Sequence, residues 1–301
     1  MKKILLLLLC TAQLSIAQQV NVLFCEKIKD TANGGYFYPK FSPDKSYILL
    51  TGANYSGLVK YSLDNEHLSI LSNDPGAGYD VQISDDGTTI LYKKIEIIKK
   101  LRFNSLITQD LNTNKRTTIV KSTRENIAGR LIHSKPIYVK GAKMIKNLPI
   151  SPNFSQDIVT VENQKIVLYQ NGIRKELTPN GNDKSYIWPS ISPDGQRLLY
   201  TAIGNGTFVS NIDGTEITPL GKLNAPKWAG NSYVIGMDDI DYGGKLLSST
   251  LIICSADGKL RETINTPDNV QAMYPAVSKN GDKIAFNTEN GEVYLMNIEL
   301  K

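Results

Sequence analysis

The amino-acid sequence predicts an all-β protein, a six-bladed β-propeller of four-stranded antiparallel blades. Three observations support this fold class. A short turn motif recurs along the 301 residues, clearest at 38–44, 188–195 and 274–281. The copies are spaced by about the length of one blade. The two chain ends together supply the length of one further blade, so that the ring can close.

The motif is centred on a turn. Ser192-Pro193-Asp194-Gly195 suits a type I turn, in which proline fixes φ at the second position and glycine is favoured at the fourth. Asp85-Asp86-Gly87 and Asn280-Gly281 serve the same purpose with other residues. Each turn leads into an apolar run rich in residues that favour strands. A recurring hairpin of this kind is the expected unit of a blade.

The spacing of the motif predicts the number of blades. The small residue before each turn serves as a marker, and the six markers are Ser42, Ser84, Ser151, Ser192, Ala229 and Ser278. The intervals are 42, 67, 41, 37 and 49 residues, and a four-stranded blade takes roughly 40 to 50. The interval of 67 is too short for another complete blade of that length, so we expect an insertion within about 124–148.

The chain ends predict how the ring closes. The 24 residues between a predicted leader and Ser42, together with the 23 residues after Ser278, make one further interval of 47. The last blade should therefore take three strands from the C-terminus and its outer strand from residues 20–28. Closure of this kind removes the unpaired edges that an open ring would leave.

The first 17 residues have the pattern of a secretory signal peptide. Lys2 and Lys3 precede an apolar run at 4–9, and Ser15-Ile16-Ala17 supplies a small-x-small cleavage site. We expect 18–301 to be a single propeller domain with no transmembrane segment, exported to the periplasm or the extracellular space. Cys10 follows three leucines and matches a lipoprotein box poorly, so lipid anchoring there is not expected.

At these motifs the chain resembles the TolB-like six-bladed propellers, whose WD-like repeats share a Pro-x-apolar-Ser-Pro-Asp-Gly core. Residues 188–195 match that core fully, and 38–44 match it with Lys45 in place of glycine. The TolB protein carries an α/β domain before its propeller, whereas the repeats here start directly after the predicted leader. The resemblance implies a propeller of the bacterial envelope that binds a partner, such as a lipoprotein.

Aromatic residues recur just before the first strand of several repeats. They are Tyr38, Tyr79, Trp188, Trp228 and Tyr274. Equivalent positions in a propeller lie around one mouth of the central channel. The rings could therefore form a collar that stacks on a sugar or anchors a partner loop. The alternative is that they pack between adjacent blades.

Positive charge is concentrated in one stretch. Residues 93–146 contain 14 Lys and Arg against three acidic residues, a net charge of +11. An anionic surface is a candidate ligand of this stretch, and simple solvation is the alternative. The acidic remainder of the chain argues against nucleic acid. The candidate residues for an anionic surface are Arg124, Arg130, Lys135, Lys140, Lys143 and Lys146.

Signatures of an enzyme are sparse. The chain has no Gly-x-Ser-x-Gly elbow, and His67 and His133 are too few for a multi-histidine metal site. Asp238, Asp239 and Asp241 do not continue as a calcium loop, because the twelfth position from Asp239 is Thr250. We therefore expect no metal and no cofactor. The sequence does not exclude a pair of carboxylates for acid-base catalysis, since blades bring residues together that are distant in the chain.

These observations favour an exported, monomeric, non-catalytic binding or scaffold protein that recognises an envelope protein or a glycan at its propeller face. The alternative is a secreted carbohydrate-active propeller enzyme, a lyase or hydrolase with carboxylates in its channel. The two remaining cysteines, Cys25 and Cys254, lie in apolar runs and are expected to be buried rather than joined.

Overall fold

The computed structural model describes residues 20–32, 34–132, 134–146 and 157–300. Within these ranges 26 strands form seven antiparallel sheets. The predicted signal peptide, His133 and the marker Ser151 lie outside the described residues. The part of the chain that is described contains no helix long and apolar enough to cross a bilayer.

The chain enters the ring through strand β1 (Val20–Lys27) and a 3-10 turn at Lys29–Thr31, and then builds the blades in order. Blade 1 contains β2 (Phe37–Phe41), β3 (Tyr47–Thr51), β4 (Leu58–Ser62) and β5 (His67–Ser72), with a second 3-10 turn at Ala53–Tyr55. Blade 2 contains β6 (Gln82–Ile83), β7 (Thr89–Ile98), β8 (Leu101–Asp110) and β9 (Arg116–Thr123).

Blades 3 and 4 each have three described strands. Blade 3 contains β10 (Ile127–Ile132), β11 (Lys135–Lys140) and β12 (Lys143–Lys146). Blade 4 contains β13 (Ile158–Glu162), β14 (Lys165–Gln170) and β15 (Ile173–Leu177).

The last three blades have four strands each. Blade 5 contains β16 (Tyr186–Ile191), β17 (Arg197–Ala202), β18 (Gly206–Asn211) and β19 (Thr218–Gly221). Blade 6 contains β20 (Asn224–Ala229), β21 (Tyr233–Tyr242), β22 (Lys245–Ser255) and β23 (Arg261–Ile264). Blade 7 contains β24 (Met273–Val277), β25 (Lys283–Asn287), β26 (Val293–Leu300) and, as its outer strand, β1.

The predicted six blades are wrong, because the structure has seven. The long interval between the markers Ser84 and Ser151 contains most of blade 2 and, after it, the three described strands of blade 3. The three described strands of blade 3 span 127–146 and those of blade 4 span 158–177, which is 20 residues each, against 26 residues for the first three strands of blade 1 at 37–62. These two blades are compact because their strands are joined by two-residue hairpin turns, such as Asn163-Gln164 and Asn171-Gly172. The segment within about 124–148 therefore contains β10, β11 and β12.

Closure through the N-terminal strand is what the structure shows. Strand β1 pairs antiparallel with β26, from Val20 opposite Leu300 to Lys27 opposite Tyr294. Val20 is fully buried, and Lys27 forms an ion pair with Glu292 at 2.9 Å. Blade 7 is thus assembled from both ends of the chain.

The core consists of apolar layers between neighbouring blades. The second strand of each blade packs apolar side chains against both neighbouring blades, and all five residues of β3 are buried. Tyr47 and Leu49 of β3 pack against blade 2, whereas Ile48 and Leu50 pack against blade 7. Because each blade depends on both neighbours for burial of its faces, the ring stabilises itself as a whole.

Candidate binding face

The first strands of four blades carry a β-bulge at the same place. The register shifts between Phe37 and Lys40 in β2, and at the equivalent place in β16, β20 and β24. The residue in each bulge has a positive φ and precedes a proline, which cannot donate to the sheet ladder. These residues are Tyr38 (51°), Trp188 (52°), Ala225 (47°) and Tyr274 (49°). A bulge re-aims a side chain, so the recurring aromatic-proline pair sets the direction of the ring.

The bulges lie on a definite face of the propeller. Strands alternate in direction within a blade, so the start of the first strand and the turn between the second and third strands share one side. Tyr55, in the β3–β4 connection of blade 1, contacts Tyr38 and confirms this geometry. We refer to this side of the ring as the tyrosine face.

Four tyrosines form a continuous array across blades 7, 1 and 2. The rings of Tyr38 and Tyr55 stack with their centroids 4.0 Å apart. Tyr274 meets Tyr38 edge-on at 4.6 Å, and Tyr79 meets Tyr55 edge-on at 5.3 Å. Tyr79 is 49% exposed, and the other three are partly buried. The tyrosine array therefore combines packing between blades with an accessible surface.

The hydroxyl groups of Tyr55, Tyr79 and Tyr274 are held in their neutral form. Burial raises the pKa of Tyr55 and of Tyr274, and the neighbouring Tyr38 raises both further. Burial, followed by the charge of Asp80, raises the pKa of Tyr79. These three phenols stay protonated at neutral pH, so they can donate hydrogen bonds to a ligand.

Lysines lie beside the array. Lys40 and Lys227 occupy the same place in β2 and β20, two residues after the bulge residue. The Lys40 ammonium donates to the carbonyl oxygen of Val81 at 2.5 Å. Burial lowers the pKa of Lys40 to about 8, against the opposing effect of Asp80. Partial desolvation by the surrounding protein also lowers the pKa of Lys227, and its side chain is exposed to water.

Blade 2 adds a third lysine and the local carboxylate. The Lys93 ammonium lies 5.3 Å from the centroid of the Tyr79 ring, a cation–π distance. Burial lowers the pKa of Lys93, and Asp80 opposes that shift. Asp80 has a φ of 56° and stands where blade 1 has Tyr38. Three ammonium groups thus share the field of one carboxylate, which leaves this region with a surplus of positive charge.

The two tryptophans lie in different surroundings. Trp188 is exposed at the bulge of blade 5. Trp228 packs between blades 5 and 6, where its indole N–H donates to the carbonyl oxygen of Ser190 at 3.3 Å. The guanidinium of Arg197 lies 5.4 Å from the Trp228 ring. The structure therefore brings together Tyr38, Tyr79 and Tyr274 and leaves Trp228 within an interblade layer.

The six basic candidates lie in and just before blade 3. Arg124 precedes β10, and Lys135 and Lys143 are exposed on β11 and β12. Lys140 pairs with Glu125 at 3.3 Å. Arg130 points toward blade 4 and donates to the carbonyl oxygen of Asp157 at 3.0 Å, and burial lowers its pKa. Strand β12 ends at Lys146.

The carboxylates with displaced pKa values serve the turns. Every aspartate whose pKa is clearly shifted is shifted downward, so these groups stay ionised and accept hydrogen bonds at neutral pH. Asp238 pairs with Arg261 at 3.0 Å, and Asp239 accepts from the amide of Asn224 at 2.6 Å. His67 is exposed on β5. Cys25 is partly buried and Cys254 is buried, and both are free thiols.

Several residues of the face were not found from the sequence. The position of Tyr55 depends on a loop in which Asn54 and Tyr55 both have positive φ, and the sequence contains no pattern that predicts this conformation. Lys40 and Lys227 had a signal, since each follows the proline of its repeat. Tyr79 was aligned one residue too early, because Asp80 rather than Tyr79 occupies the position of Tyr38.

No protein-family model and no curated protein matches the chain. Solved structures do resemble it. A putative TolB from Agrobacterium tumefaciens has a TM-score of 0.55 at 15% identity, over 92% of this chain and 96% of that one. TolB from Acinetobacter baumannii has a TM-score of 0.53 at 16% identity, over 81% of this chain. The matched region spans 57% of that TolB chain.

A propeller that is not a TolB protein has a similar TM-score. The β-propeller domain of Cps50 (Swd1) from Myceliophteria thermophila has a TM-score of 0.57 at 11% identity, over 92% of this chain and 99% of that one. Likeness at such low identity shows the fold and leaves the function to be argued from the site. The chain has a TolB-like β-propeller fold, built here from seven blades.

Proposed function

We propose that this protein is an exported, non-catalytic binding or scaffold protein of the bacterial cell envelope. Its ligand is a protein or glycan that carries carboxylate groups and docks on the tyrosine face. One observation carries the proposal: the tyrosine array, with an exposed edge at Tyr79, lies beside Lys40 and Lys93, and the charges of both lysines interact with the same carboxylate, Asp80.

The array supplies contact area at a low entropic cost. The tyrosine rings already pack on one another in the free protein, so little side-chain freedom is lost on binding. Tyrosine is among the residues that dominate binding energy at interfaces, and truncation of such an anchor typically costs at least about 2 kcal/mol. The phenol hydroxyls add hydrogen bonds that suit either a peptide backbone or a sugar.

The lysines supply charge, and this makes the affinity depend on pH. Lys40 must be protonated to attract a carboxylate, and its pKa in the free protein is about 8. A bound carboxylate would raise that pKa, so binding takes up a proton when the pH is above about 8. Affinity should therefore be complete below this pH and fall as the pH rises through the range in which free Lys40 loses its proton.

The test begins with capture of crosslinked partners from the native envelope, followed by affinity measurements with the captured ligand. Replacement of Tyr79 by alanine should weaken binding at least tenfold with little change in melting temperature, because Tyr79 is half exposed. The matched control is Phe24→Ala, which removes a ring 45% exposed on the outer strand of blade 7.

A second variant tests the charge. Lys227→Gln should weaken binding and reduce its dependence on ionic strength, since it removes one ammonium group. If both Tyr79→Ala and Lys227→Gln bind the captured ligand as tightly as the unaltered protein, the ligand docks elsewhere and the proposal fails. Turnover of a captured glycan would also overturn it.

A further inference from the structure

One hairpin of blade 2 projects beyond its sheet. Strands β7 and β8 pair along their whole length, from Thr89 opposite Asp110 to Ile98 opposite Leu101 at the tip. Strand β9 covers only part of β8, and the pair nearest the tip is Asn104 with Thr123. Beyond Asn104 the two strands continue as a free ribbon that ends in a two-residue turn, Lys99-Lys100. We call residues 94–103 the basic hairpin. It joins the second and third strands of its blade, so it projects on the tyrosine face.

The tip of the basic hairpin is apolar and exposed. Ile97 is 66% exposed, Ile98 is 46% exposed and Leu101 is 43% exposed. Single exposed aliphatic side chains are ordinary on a protein surface, but three at one projecting tip form a patch of the kind that marks an interaction site. Packing within the ring does not require them, because the ribbon lies beyond the sheet.

The turn at the tip is conformationally unfavourable for its residues. Lys99 has a φ of 50° and Lys100 a φ of 64°, the conformation of a type I′ turn, which favours asparagine and glycine. Three other two-residue turns have at least one such residue: Asn171-Gly172 and Asn163-Gln164 in blade 4, and Gly243-Gly244 in blade 6. Two lysines in this conformation cost stability, and strain of this kind is typically retained where a function needs the side chains.

Positive charge surrounds the apolar tip. Lys99 and Lys100 form the turn, Arg102 follows it, and Lys94 stands behind it. The only carboxylate of the hairpin, Glu96, pairs with Lys94 at 3.2 Å. The hairpin therefore presents aliphatic side chains at its end and a net positive charge immediately around them.

We propose that the basic hairpin inserts its tip into the interface of a bilayer that contains anionic phospholipid. The aliphatic side chains would enter the boundary of the acyl chains, and the ammonium and guanidinium groups would contact the phosphates, as long basic side chains do at interfaces. A convex tip suits a deformable lipid surface, whereas a protein partner would have to supply a matching apolar pocket. The inference does not depend on the ligand of the tyrosine array.

A single hairpin gives weak and reversible attachment. Binding should therefore require anionic lipid, and it should decrease as the salt concentration rises. Its effect would be to hold the tyrosine face close to a membrane surface, because the tip and the array lie on the same side of the ring.

The experiment is co-sedimentation of the purified protein with two kinds of vesicle, one of phosphatidylcholine alone and one in which roughly a third of the lipid is anionic phosphatidylglycerol, which attracts basic segments. The unaltered protein should sediment with the anionic vesicles only. The double variant Ile97→Ser, Ile98→Ser should bind at least tenfold more weakly. The matched control is Ile70→Ser, Ile173→Ser, which replaces isoleucines that are 71% and 72% exposed on the outer strands of blades 1 and 4.

A second double variant separates lipid binding from folding. Lys99→Asn, Lys100→Gly restores a favourable type I′ turn while removing two charges, so the melting temperature should rise as lipid binding falls. The proposal is overturned if the unaltered protein stays in the supernatant at low salt, or if the tip variants sediment as well as the control. Sedimentation without vesicles would overturn it in favour of a second copy of the chain as the partner.

Discussion

Two groups of blades reach the same architecture by different turns: the first group is blades 1, 2, 5 and 7, and the second is the compact blades 3 and 4. In the first group a serine before the turn organises its own hairpin. The Ser84 hydroxyl donates to Asp86 at 2.5 Å and accepts from the Thr89 N–H at 2.9 Å, and Ser192 makes the same two contacts with Asp194 and Arg197. Blade 7 uses Ser278 and Asp282 in this way.

The compact blades are held by tight turns and by contacts among their strands. In blade 4 the Tyr169 hydroxyl donates to Glu162 at 2.7 Å, and Glu162 also pairs with Arg174 at 2.8 Å. In both groups of blades the second strand nevertheless packs against both neighbouring blades, as β3 does in blade 1 and β14 in blade 4. The difference teaches that a blade requires a second strand that packs on both neighbouring blades. The Ser-Asp turn is one of several turns that can connect the first strand to it.

The largest test of this comparison is removal of β1. A chain that starts after Lys27 has a three-stranded blade 7, as blades 3 and 4 have in the described residues. It should still be unfolded or far less stable than a chain that starts at Gln18, because β1 joins the two chain ends. The loss should be comparable to the whole stability of a domain, about 5 to 15 kcal/mol. Thermal unfolding followed by circular dichroism measures it.

The result distinguishes two roles of the fourth strand. If the shortened chain melts at the same temperature as the longer one, an outer strand is dispensable and blade 7 is equivalent to blades 3 and 4. A large loss would show that closure, rather than strand number, stabilises the ring.

The next test removes one Ser-Asp turn. Replacement of Ser192 by alanine leaves the Arg197 N–H without its acceptor and removes one of the two hydrogen bonds that Asp194 Oδ1 accepts, the other coming from the Gln196 N–H, which should cost about 1 to 3 kcal/mol. Ser190 provides the control, because its hydroxyl is buried and has no hydrogen-bond partner among the described residues. Ser190→Ala should change the free energy of unfolding in urea very little. Equal losses in both variants would mean that the turn hydrogen bonds contribute nothing beyond packing.

A smaller effect distinguishes equivalent tyrosines in blades 4 and 5. Both Tyr169 and Tyr200 are fully buried near the ends of second strands. The Tyr169 hydroxyl bonds Glu162, whereas that of Tyr200 has no hydrogen-bond partner in the described part of the chain. Tyr169→Phe should lower the free energy of unfolding by about 1 kcal/mol, and Tyr200→Phe should leave it unchanged or raise it. Destabilisation by Tyr200→Phe would contradict this account.

The comparison also explains how far the sequence could predict the fold. A motif built on Ser-Pro-Asp-Gly reports the chemistry of one kind of turn, so it identified the blades that use that turn. Asn163-Gln164 and Asn171-Gly172 close their hairpins through positive φ values and have no serine marker. The described strands of blade 4 were therefore assigned to the interval after Ser151 and those of blade 3 to an insertion, whereas the closure by β1 followed from lengths alone.

The candidate site was predictable to the extent that it follows the repeat. Tyr38 and Tyr274 stand before a proline in a bulge, and the aromatic-proline pair is visible in the sequence. Tyr55 was not predictable, since it reaches the array through a loop held in an unusual conformation. The surroundings of Lys93 depend on contacts between strands that spacing does not reveal.

The smallest expected effect concerns acid. Hydrogen bonds, first from Ser84, hold the pKa of Asp86 well below its usual range, and Ser255 in blade 6 lowers the pKa of Asp257 to about 2. A carboxyl whose pKa is depressed by folding contributes stability above its unfolded pKa of about 4, and that contribution is lost as the pH falls through the folded value. The melting temperature should therefore fall between about pH 4 and pH 2.

The double variant Asp86→Asn, Asp257→Asn should show a shallower decrease across that window, because two of the titrating groups are gone. Asp86 also accepts a hydrogen bond from Ser134 of blade 3 at 2.8 Å, so its protonation weakens a contact between a Ser-Asp turn and a compact blade. Asp64→Asn, at an exposed position between β4 and β5, is the matched control. Identical acid profiles for the double variant and this control would show that the turn aspartates do not link stability to pH, and that the two kinds of blade respond to acid alike.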